Sequence, residues 1–141
     1  MNDFTVTIVN WPEASEDIFS VRRAVFVREQ NIPEEIEFDG RDPACFHVLV
    51  HDKDGRPVAT ARLDKTGRIG RMAVLVRYRR RGLGTRMLRA LLDCGAEHGT
   101  TAFHLAAQIH AVEFYRKMGF EPYGDEFDEA GIPHVNMKKT D

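Results

Sequence analysis

Apolar residues alternate with polar ones in some segments and recur at helical spacing in others, so the pattern predicts a mixed α/β fold. The predicted order is strand, helix, three strands, helix, strand, helix and strand, with a further short strand at 120–123. The three consecutive strands favour an antiparallel meander, and the later strand–helix–strand unit favours parallel strands. The predicted strands cover residues 4–10, 46–50, 57–63, 69–76, 101–106 and 131–137, and the predicted helices cover 15–29, 83–99 and 111–118.

Local signals refine several of these elements. Ser15 is typical of the N-cap that starts a helix, and Gly99 is typical of a residue that ends one. The acidic segment 31–43 contains two prolines and is predicted to be irregular, with at most one helical turn. The strand at 69–76 is apolar on both faces from Met72 onward, which is typical of a strand in the centre of a sheet.

Length and composition indicate one globular domain over residues 1–141. Hydrophobic residues make up 43% of the chain and charged residues 30%, which excludes a disordered protein. The net charge of −2 does not favour a dedicated nucleic-acid binder. No apolar run reaches the roughly 18 residues of a membrane span, and the first residues lack the features of a signal peptide. We therefore expect a cytoplasmic protein.

The cysteines and histidines indicate neither a disulfide framework nor a metal site. Cys45 and Cys94 are expected to be small core residues, which disfavours an acyl-cysteine intermediate. His47 and His51 are four residues apart, and along a strand that spacing separates their Cα atoms by roughly 13 Å, too far to bind one ion. We therefore predict no metal.

The most informative segment is 69–86, where a buried strand leads through a basic, glycine-containing turn into a helix. Gly82 and Gly84 lack a Cβ atom, so the backbone N–H groups at the helix start can approach a ligand closely. Those N–H groups have no partners within the helix, and the helix dipole adds roughly half a positive charge. Three consecutive arginines at 79–81 add cationic side chains. The turn therefore has the chemistry of a phosphate or pyrophosphate site.

Two common nucleotide motifs do not fit this turn. A P-loop requires G-x-x-x-x-G-K-[ST], and the turn contains no Gly-Lys-Ser/Thr. A dinucleotide fingerprint requires glycine or alanine three positions after Gly84, where this chain has Met87. A solvated basic turn without a ligand is the alternative interpretation.

Two motifs resemble those of the GNAT superfamily of acyl-CoA-dependent N-acetyltransferases. Its (Arg/Gln)-x-x-Gly-x-(Gly/Ala) signature resembles Arg79-Arg80-Arg81-Gly82-Leu83-Gly84. Its Asn-x-x-Ala-x-x-Phe-Tyr-x-x-x-Gly-Phe pattern is similar to residues 108–120, with Gln108 in place of the asparagine. Segments 25–30 and 131–134, with the acidic loop ending near Asp39, look like the small bacterial ElaA-like branch.

The resemblance implies a GNAT fold: a single α/β domain whose mixed central sheet is flanked by helices and splays between the fourth and fifth strands. It also implies acetyl-CoA as cosubstrate. The turn would wrap the pyrophosphate, the backbone of 72–74 would pair with the pantetheine arm, and the Val74 amide would face the thioester carbonyl. The implied cofactor-binding residues are Met72, Ala73, Val74, Arg79, Arg80, Arg81, Gly82, Leu83, Gly84, Thr85, Gln108, Ala111 and Phe114.

Catalysis of acetyl transfer requires an acid for the departing thiolate and a base for the amine. Tyr115 matches the family's tyrosine that is proposed to protonate the thiolate, although its spacing also fits a core tyrosine. An amine with a pKa of ~10.4 is neutral in only about one molecule in 2,500 at pH 7, so a base or a water relay is expected. Glu29 is the first candidate for that base, His134 the second and His110 the third.

The acceptor is expected to be a primary amine of a small molecule or peptide, attacked directly in a ternary complex. The acidic segment 34–39 would suit a cationic amine. No nucleic-acid or membrane partner is expected, and the protein would be a monomer or homodimer. The alternative function is a non-catalytic module that senses acyl-CoA or contacts RNA. The predicted acceptor-binding residues are Gln30, Asp39, His47, His110 and His134.

Overall fold

The computed structural model describes residues 3–140, which form seven strands and four α-helices. Short 3₁₀ turns follow the fourth and fifth strands, at Val76–Tyr78 and at Ile109–Ala111. The strands are β1 (Thr5–Val9), β2 (Phe46–His51), β3 (Pro57–Leu63), β4 (Ile69–Val74), β5 (Ala102–Gln108), β6 (Glu121–Glu129) and β7 (Ile132–Thr140). The helices are α1 (Trp11–Arg22), α2 (Glu34–Glu37), α3 (Leu83–Glu97) and α4 (Val112–Lys117).

The strands form two sheets rather than one continuous sheet. β1, β2, β3 and β4 pair in that order, and every pairing is antiparallel, as the meander prediction requires. The second sheet has the order β5-β7-β6, also antiparallel. β4 and β5 run parallel beside each other and meet at an isolated bridge between Arg68 and His104. Beyond that bridge the two sheets diverge, which confirms the predicted splay.

β4 differs from the prediction of a central strand. It lies at the hydrogen-bonded edge of the first sheet, and it ends at Val74 rather than at residue 76. Its second apolar face contributes Met72 and Val74 to a cleft instead of to a neighbouring strand. An apolar strand next to a cleft therefore has the same sequence pattern as a central strand.

α1 begins at Trp11, so the prediction of an N-cap at Ser15 was wrong. Asn10 is the N-cap residue, and Pro12 lies in the first turn, where its missing N–H would have had no partner in any case. After Arg22 the helix continues as a π-helical segment, Arg23–Glu29, which ends at the cleft. The predicted helix at 15–29 is therefore present but begins earlier and changes hydrogen-bonding pattern in its second half.

The last two strands are longer than predicted. β6 is acidic and forms the outer edge of its sheet, with a bulge between Tyr123 and Phe127, so its apolar alternation is interrupted. It joins β7 through a tight turn in which Ala130 has φ of 53° and Gly131 has φ of 79°. Two consecutive positive φ values match the type I′ hairpin.

The main core lies between α3 and the inner faces of both sheets. Leu83, Met87, Leu88 and Leu91 of α3 are almost completely buried there. A Cβ atom on Gly95 would lie 2.7 Å from Cε1 of Phe103, so this position permits the close approach of α3 to β5. No helix within residues 3–140 has the length and apolarity needed to cross a membrane.

A buried ion-pair network fixes the connection between α1 and β2. Arg22, which is 1% exposed, donates through Nε to Glu37 and through Nη1 to Oδ1 of Asp42 at 2.7 Å. Its Nη2 also donates to the Glu37 carbonyl oxygen at 3.1 Å. Arg62 donates to the same Asp42 oxygen at 2.8 Å, which links β3 to the network. These contacts order the segment that forms one wall of the cleft.

Replacing Arg22 with alanine is expected to lower the free energy of unfolding by about 3 kcal/mol or more, because two buried carboxylates lose a partner. Arg23 is the matched control, since its ion pair with Glu34 is largely exposed. Arg23→Ala is expected to cost less than about 1 kcal/mol. Urea denaturation of both variants measures the difference. Equal losses would contradict the assignment of a structural role to the buried network.

Candidate active site

The divergence of β4 from β5 opens a cleft of about 990 Å³. Both strands, the end of the π-helical segment, the start of α3, α4 and the β6–β7 hairpin line it. The structure thus brings most of the predicted site residues together. Those that line the cleft are Glu29, Gln30, Asp39, Met72, Ala73, Val74, Arg79, Arg80, Gly84, Gln108, His110, Ala111, Phe114, Tyr115 and His134.

Four residues of the basic turn are not part of the cleft lining: Arg81, Gly82, Leu83 and Thr85. Leu83 is a core residue, and the Arg81 guanidinium lies over the ring of Tyr78 at 5.7 Å. The turn was predicted to bind its ligand mainly through backbone N–H groups. The positions of these side chains do not affect that prediction.

The structure does not place His47 in the acceptor pocket. This residue of β2 is 1% exposed and packs against Trp11, with ring centroids 5.0 Å apart. Its Nε2 donates to the Asp42 carbonyl oxygen at 2.9 Å, and burial lowers the pKa of the imidazole. The prediction that His47 lines the acceptor pocket was therefore wrong, because its side chain faces α1.

The turn before α3 presents a row of backbone N–H groups. Arg80 has φ of 64° and Gly82 has φ of 77°, so two of three consecutive residues adopt the left-handed conformation. Within residues 3–140, the amides of 80–85 donate to no backbone carbonyl, and no side chain caps the helix. Unpartnered amides at a helix N-terminus are suited to bind an anion.

Gly84 allows α3 to approach α4 at the same end of the cleft. A Cβ atom on Gly84 would lie 3.2 Å from Cζ of Phe114. The motif glycine therefore has a packing function in addition to its effect on the turn.

Arg79 and Glu29 form an ion pair across the mouth of the cleft. Nη1 and Nη2 of Arg79 donate to the two Glu29 carboxylate oxygens at 2.8 and 2.6 Å, and Nε donates to the Val74 carbonyl oxygen at 2.8 Å. The hydrogen bonds from Arg79 lower the pKa of Glu29. Both oxygens are engaged and the carboxylate is a weaker base than usual, which opposes the predicted role of Glu29 as general base. Three of the five N–H groups of the Arg79 guanidinium are thus bound within the protein.

A β-bulge in β4 was not predicted. Thr60 pairs with Ala73 and Arg62 pairs with Gly70, so Arg71 and Met72 together stand opposite a single residue of β3. Arg71 has φ of 52°, and its Nη2 donates to the Ile36 and Glu37 carbonyl oxygens at 3.3 and 3.1 Å. A glycine within a strand often marks a bulge, so Gly70 could have indicated this one, although the residue with positive φ is Arg71.

Glu34, Glu37 and Asp39 of the acidic segment form ion pairs with arginines. Asp39 accepts hydrogen bonds from Arg62 at 2.6 Å and from Arg71 at 3.2 Å. Burial opposes ionisation of Asp39, but the bonds from Arg62 and from the Arg41 amide outweigh it and hold the pKa well below its usual value. Asp39, the predicted acceptor-binding carboxylate, therefore does not offer a free negative charge to a cationic acceptor.

Tyr115 places its hydroxyl group at the β4 side of the cleft. The Oη atom lies 3.7 Å from Sδ of Met72, and the ring contacts Phe114 and Phe120 edge to face. Burial raises the pKa of this phenol to about 12. The hydroxyl is therefore protonated at neutral pH and is available as a proton donor.

A hydrogen-bonded chain of polar side chains also lines the cleft. Gln108 donates to Oε1 of Gln30 at 3.2 Å, and Nε2 of His110 lies 2.7 Å from Oε1 of Gln108. The Gln108 amide, predicted to contact the cofactor, thus has protein partners. His134 is 6% exposed, and its Nδ1 lies 2.6 Å from the Ile132 carbonyl oxygen.

Neither cysteine belongs to the described lining of the cleft. Cys45 and Cys94 are free, and burial raises the pKa of both thiols. Within residues 3–140, no group of three His, Cys, Asp or Glu side chains has an arrangement suited to a metal ion.

Residues 15–141 match the sequence model of a family described as an acetyltransferase (GNAT) domain. This chain belongs to the GNAT family. The chain is accordingly an acyltransferase, and the family uses acetyl-CoA as cosubstrate. The Bacillus subtilis protein named "Uncharacterized N-acetyltransferase YjcF" is 40% identical over 131 residues, which cover 90% of this chain and 93% of that protein.

Solved GNAT structures have the same architecture. Escherichia coli ElaA superposes with a TM-score of 0.86 at 28% identity, covering 96% of this chain and 99% of ElaA. An acyl-CoA N-acyltransferase from Pseudomonas aeruginosa gives a TM-score of 0.82 at 28% identity, covering 98% of this chain and 99% of that chain. The GNAT fold and the resemblance to ElaA that the sequence indicated are thereby confirmed.

The protonation of the GNAT tyrosine can be tested by titration. The difference in ultraviolet absorbance between the wild-type enzyme and Tyr115→Phe isolates this phenol. We expect the difference to develop near pH 12, because burial disfavours the phenolate. A step near the ordinary tyrosine pKa of about 10 would contradict the deduced environment.

Proposed function

We propose that this GNAT enzyme transfers the acetyl group of acetyl-CoA to a primary amine by direct attack in a ternary complex. One observation carries the proposal: the turn with the unpartnered amides of 80–85 reaches the cleft at Arg80 and Gly84, and the protonated Tyr115 phenol lines the same cleft, which β4 borders along its length. An anion-binding turn and a proton donor are the two features that an acyl-CoA donor requires.

The turn would bind the pyrophosphate of the donor. Backbone N–H groups of 80–85 donate to phosphate oxygens, and the dipole of α3 favours the negative charge. Arg80 lines the cleft beside these amides and adds a cationic side chain.

The open edge of β4 would bind the pantetheine arm and polarise the thioester. The Leu75 amide donates to the Val58 carbonyl oxygen of β3. Because successive backbone groups of a strand point to opposite edges, the Val74 N–H points away from β3 and toward the cleft. This direction supports the proposed contact of the Val74 amide with the thioester carbonyl oxygen. A fixed N–H donor at that position stabilises the negative charge that develops during attack.

Tyr115 would protonate the departing thiolate. As the amine nitrogen forms a bond to the carbonyl carbon, the carbon–sulfur bond breaks and the sulfur takes the phenol proton. The tyrosinate then regains a proton that the attacking nitrogen loses, through water. Its contact with Met72 places the hydroxyl beside the strand that would hold the thioester.

A thiol-release assay across amines, polyamines, aminosugars and peptides tests the proposal. We expect acceptor-dependent release of free coenzyme A from acetyl-CoA. Binding of acetyl-CoA without acceptor-dependent release would favour the alternative of a sensor. A steeply salt-dependent affinity for RNA would favour an RNA-contacting module.

The role of the turn can be tested with two glycines at opposite ends of α3. Gly82 and Gly99 have φ of 77° and 92°, and a Cβ atom on either would have no neighbour within 4 Å. Gly82→Ala and Gly99→Ala should each lose about 1 kcal/mol of stability, because alanine disfavours this conformation. Only Gly82→Ala is expected to weaken acetyl-CoA binding, by about tenfold in calorimetry, as its amides shift. Equal affinities in the two variants would contradict the pyrophosphate assignment.

The role of the phenol can be tested by removing its hydroxyl group. Tyr115→Phe is expected to lower kcat about 100-fold, with acetyl-CoA affinity nearly unchanged, because the proton is transferred only in the reaction. Tyr123→Phe is the matched control, since Tyr123 is exposed on β6 outside the described cleft lining. An undiminished kcat for Tyr115→Phe would remove this residue from the mechanism.

A further inference from the structure

The site contains several candidates for the base that deprotonates the amine, and the geometry separates them. Glu29 has both carboxylate oxygens bound by Arg79. His110 is exposed, and its Nε2 lies 2.7 Å from the amide oxygen of Gln108. Because an amide oxygen can only accept a hydrogen bond, Nε2 of His110 carries a hydrogen, and the lone pair of the neutral ring is on Nδ1, so His110 cannot act as a base through the nitrogen that faces Gln108.

His134 has the opposite arrangement. Its Nδ1 lies 2.6 Å from the Ile132 carbonyl oxygen. A carbonyl oxygen only accepts, so Nδ1 carries the hydrogen and, in the neutral ring, Nε2 carries the lone pair. The ring also stacks on Phe127, with centroids 5.9 Å apart and planes at 23°. The backbone contact and the stacking together fix both the tautomer and the orientation of the ring.

The position of His134 in the second sheet directs it to the cleft. β7 pairs with β5 so that His134 lies opposite Gln108. Side chains of directly opposed residues share one face of an antiparallel pair, and Gln108 reaches Gln30 across the cleft. His134 lines this cleft together with Ile132 and Ala130 of the hairpin.

Glu129 is placed to stabilise the protonated ring. Its Oε2 lies 3.7 Å from Nε2 of His134, beyond hydrogen-bonding distance but close enough for a favourable charge interaction. Nε2 thus remains free to accept a proton, and a carboxylate of the neighbouring strand offsets the resulting positive charge.

From this geometry we propose that His134 is the general base for the amine acceptor, an assignment that rests on the acetyl transfer proposed above. Nε2 takes one proton from the ammonium form, and the neutral amine then attacks the thioester carbonyl carbon. After the attack, the nitrogen loses a second proton, which returns through water to Tyr115 and replaces the proton that Tyr115 gave to sulfur. The products are the amide, coenzyme A with a free thiol, and imidazolium, which releases its proton to water.

The variant His134→Asn tests this assignment. The asparagine amide can keep the hydrogen bond to the Ile132 carbonyl, but the Nε2 lone pair is lost. With the most active amine of the thiol-release panel, we expect kcat/KM at pH 7 to fall about 100-fold. The deficit relative to wild type should shrink as the pH approaches the amine's own pKa, ~10.4 for an alkylamine, because the amine is then neutral without a base.

The ratio of wild-type to variant rates separates a base from a structural residue. Glu129, His110, Tyr115 and the Glu29–Arg79 pair are present in both enzymes, so the ratio isolates the loss of the His134 imidazole. A deficit of constant size at every pH, or no deficit, would overturn the assignment. If His134→Asn fails to fold, the pH dependence of kcat/KM is measured with His134→Gln instead, and the same outcomes apply. His51→Gln, on β2 beside Asp17, is the matched control and should behave as wild type.

The two proposals fail in different ways. A wild-type enzyme without acceptor-dependent thiol release overturns the acetyl transfer and, with it, this assignment. An active wild-type enzyme whose Tyr115→Phe variant is impaired, but whose His134→Asn variant is not, overturns only the role of His134.

Discussion

Backbone groups without partners are the constraint on which the site depends. A peptide N–H needs an acceptor, and the divergence of β4 from β5 removes the neighbouring strand that would supply one. The turn into α3 leaves a further set of amides unpaired at the same end of the cleft. In the function proposed above, a donor that is both extended and phosphorylated would satisfy both sets. Recognition of the donor is therefore assigned chiefly to the main chain.

The charged side chains at the cleft serve mainly to hold the elements together. Arg22, Arg62 and Arg71 bind the carboxylates of the segment between α1 and β2, and Arg79 joins the π-helical segment to the end of β4. With most charges paired internally, the free polar groups of the site are few. In the reaction proposed above, the Tyr115 phenol and the His134 imidazole, which both line the cleft, are the groups that transfer protons.

Much of the fold could be predicted from the sequence, because local patterns determine most elements. β3 has the predicted bounds Pro57–Leu63, and the start of α3 follows directly from the glycine motif. The acidic β6 was mostly missed because an edge strand with a bulge has little apolar alternation. The start of α1 was misplaced because Ser15 was interpreted as the N-cap, although Pro12 is typical of a first helical turn.

The site was predictable where a motif carries it and not where distant residues pair. Arg79, Arg80 and Gly84 of the turn motif line the cleft, and so do Tyr115 and His134. Glu29 could not be recognised as an ion-pair partner, because Arg79 is 50 positions away in the chain. His47 was misassigned because a sequence does not indicate which face of β2 is directed toward α1.

Gly84 touches Phe114, and Phe114 immediately precedes Tyr115. α3, whose first turn would bind the donor, thus packs against α4, which carries the proposed acid Tyr115. In the function proposed above, a shift of either helix at this contact would change both the binding of the donor and the position of the Tyr115 hydroxyl group.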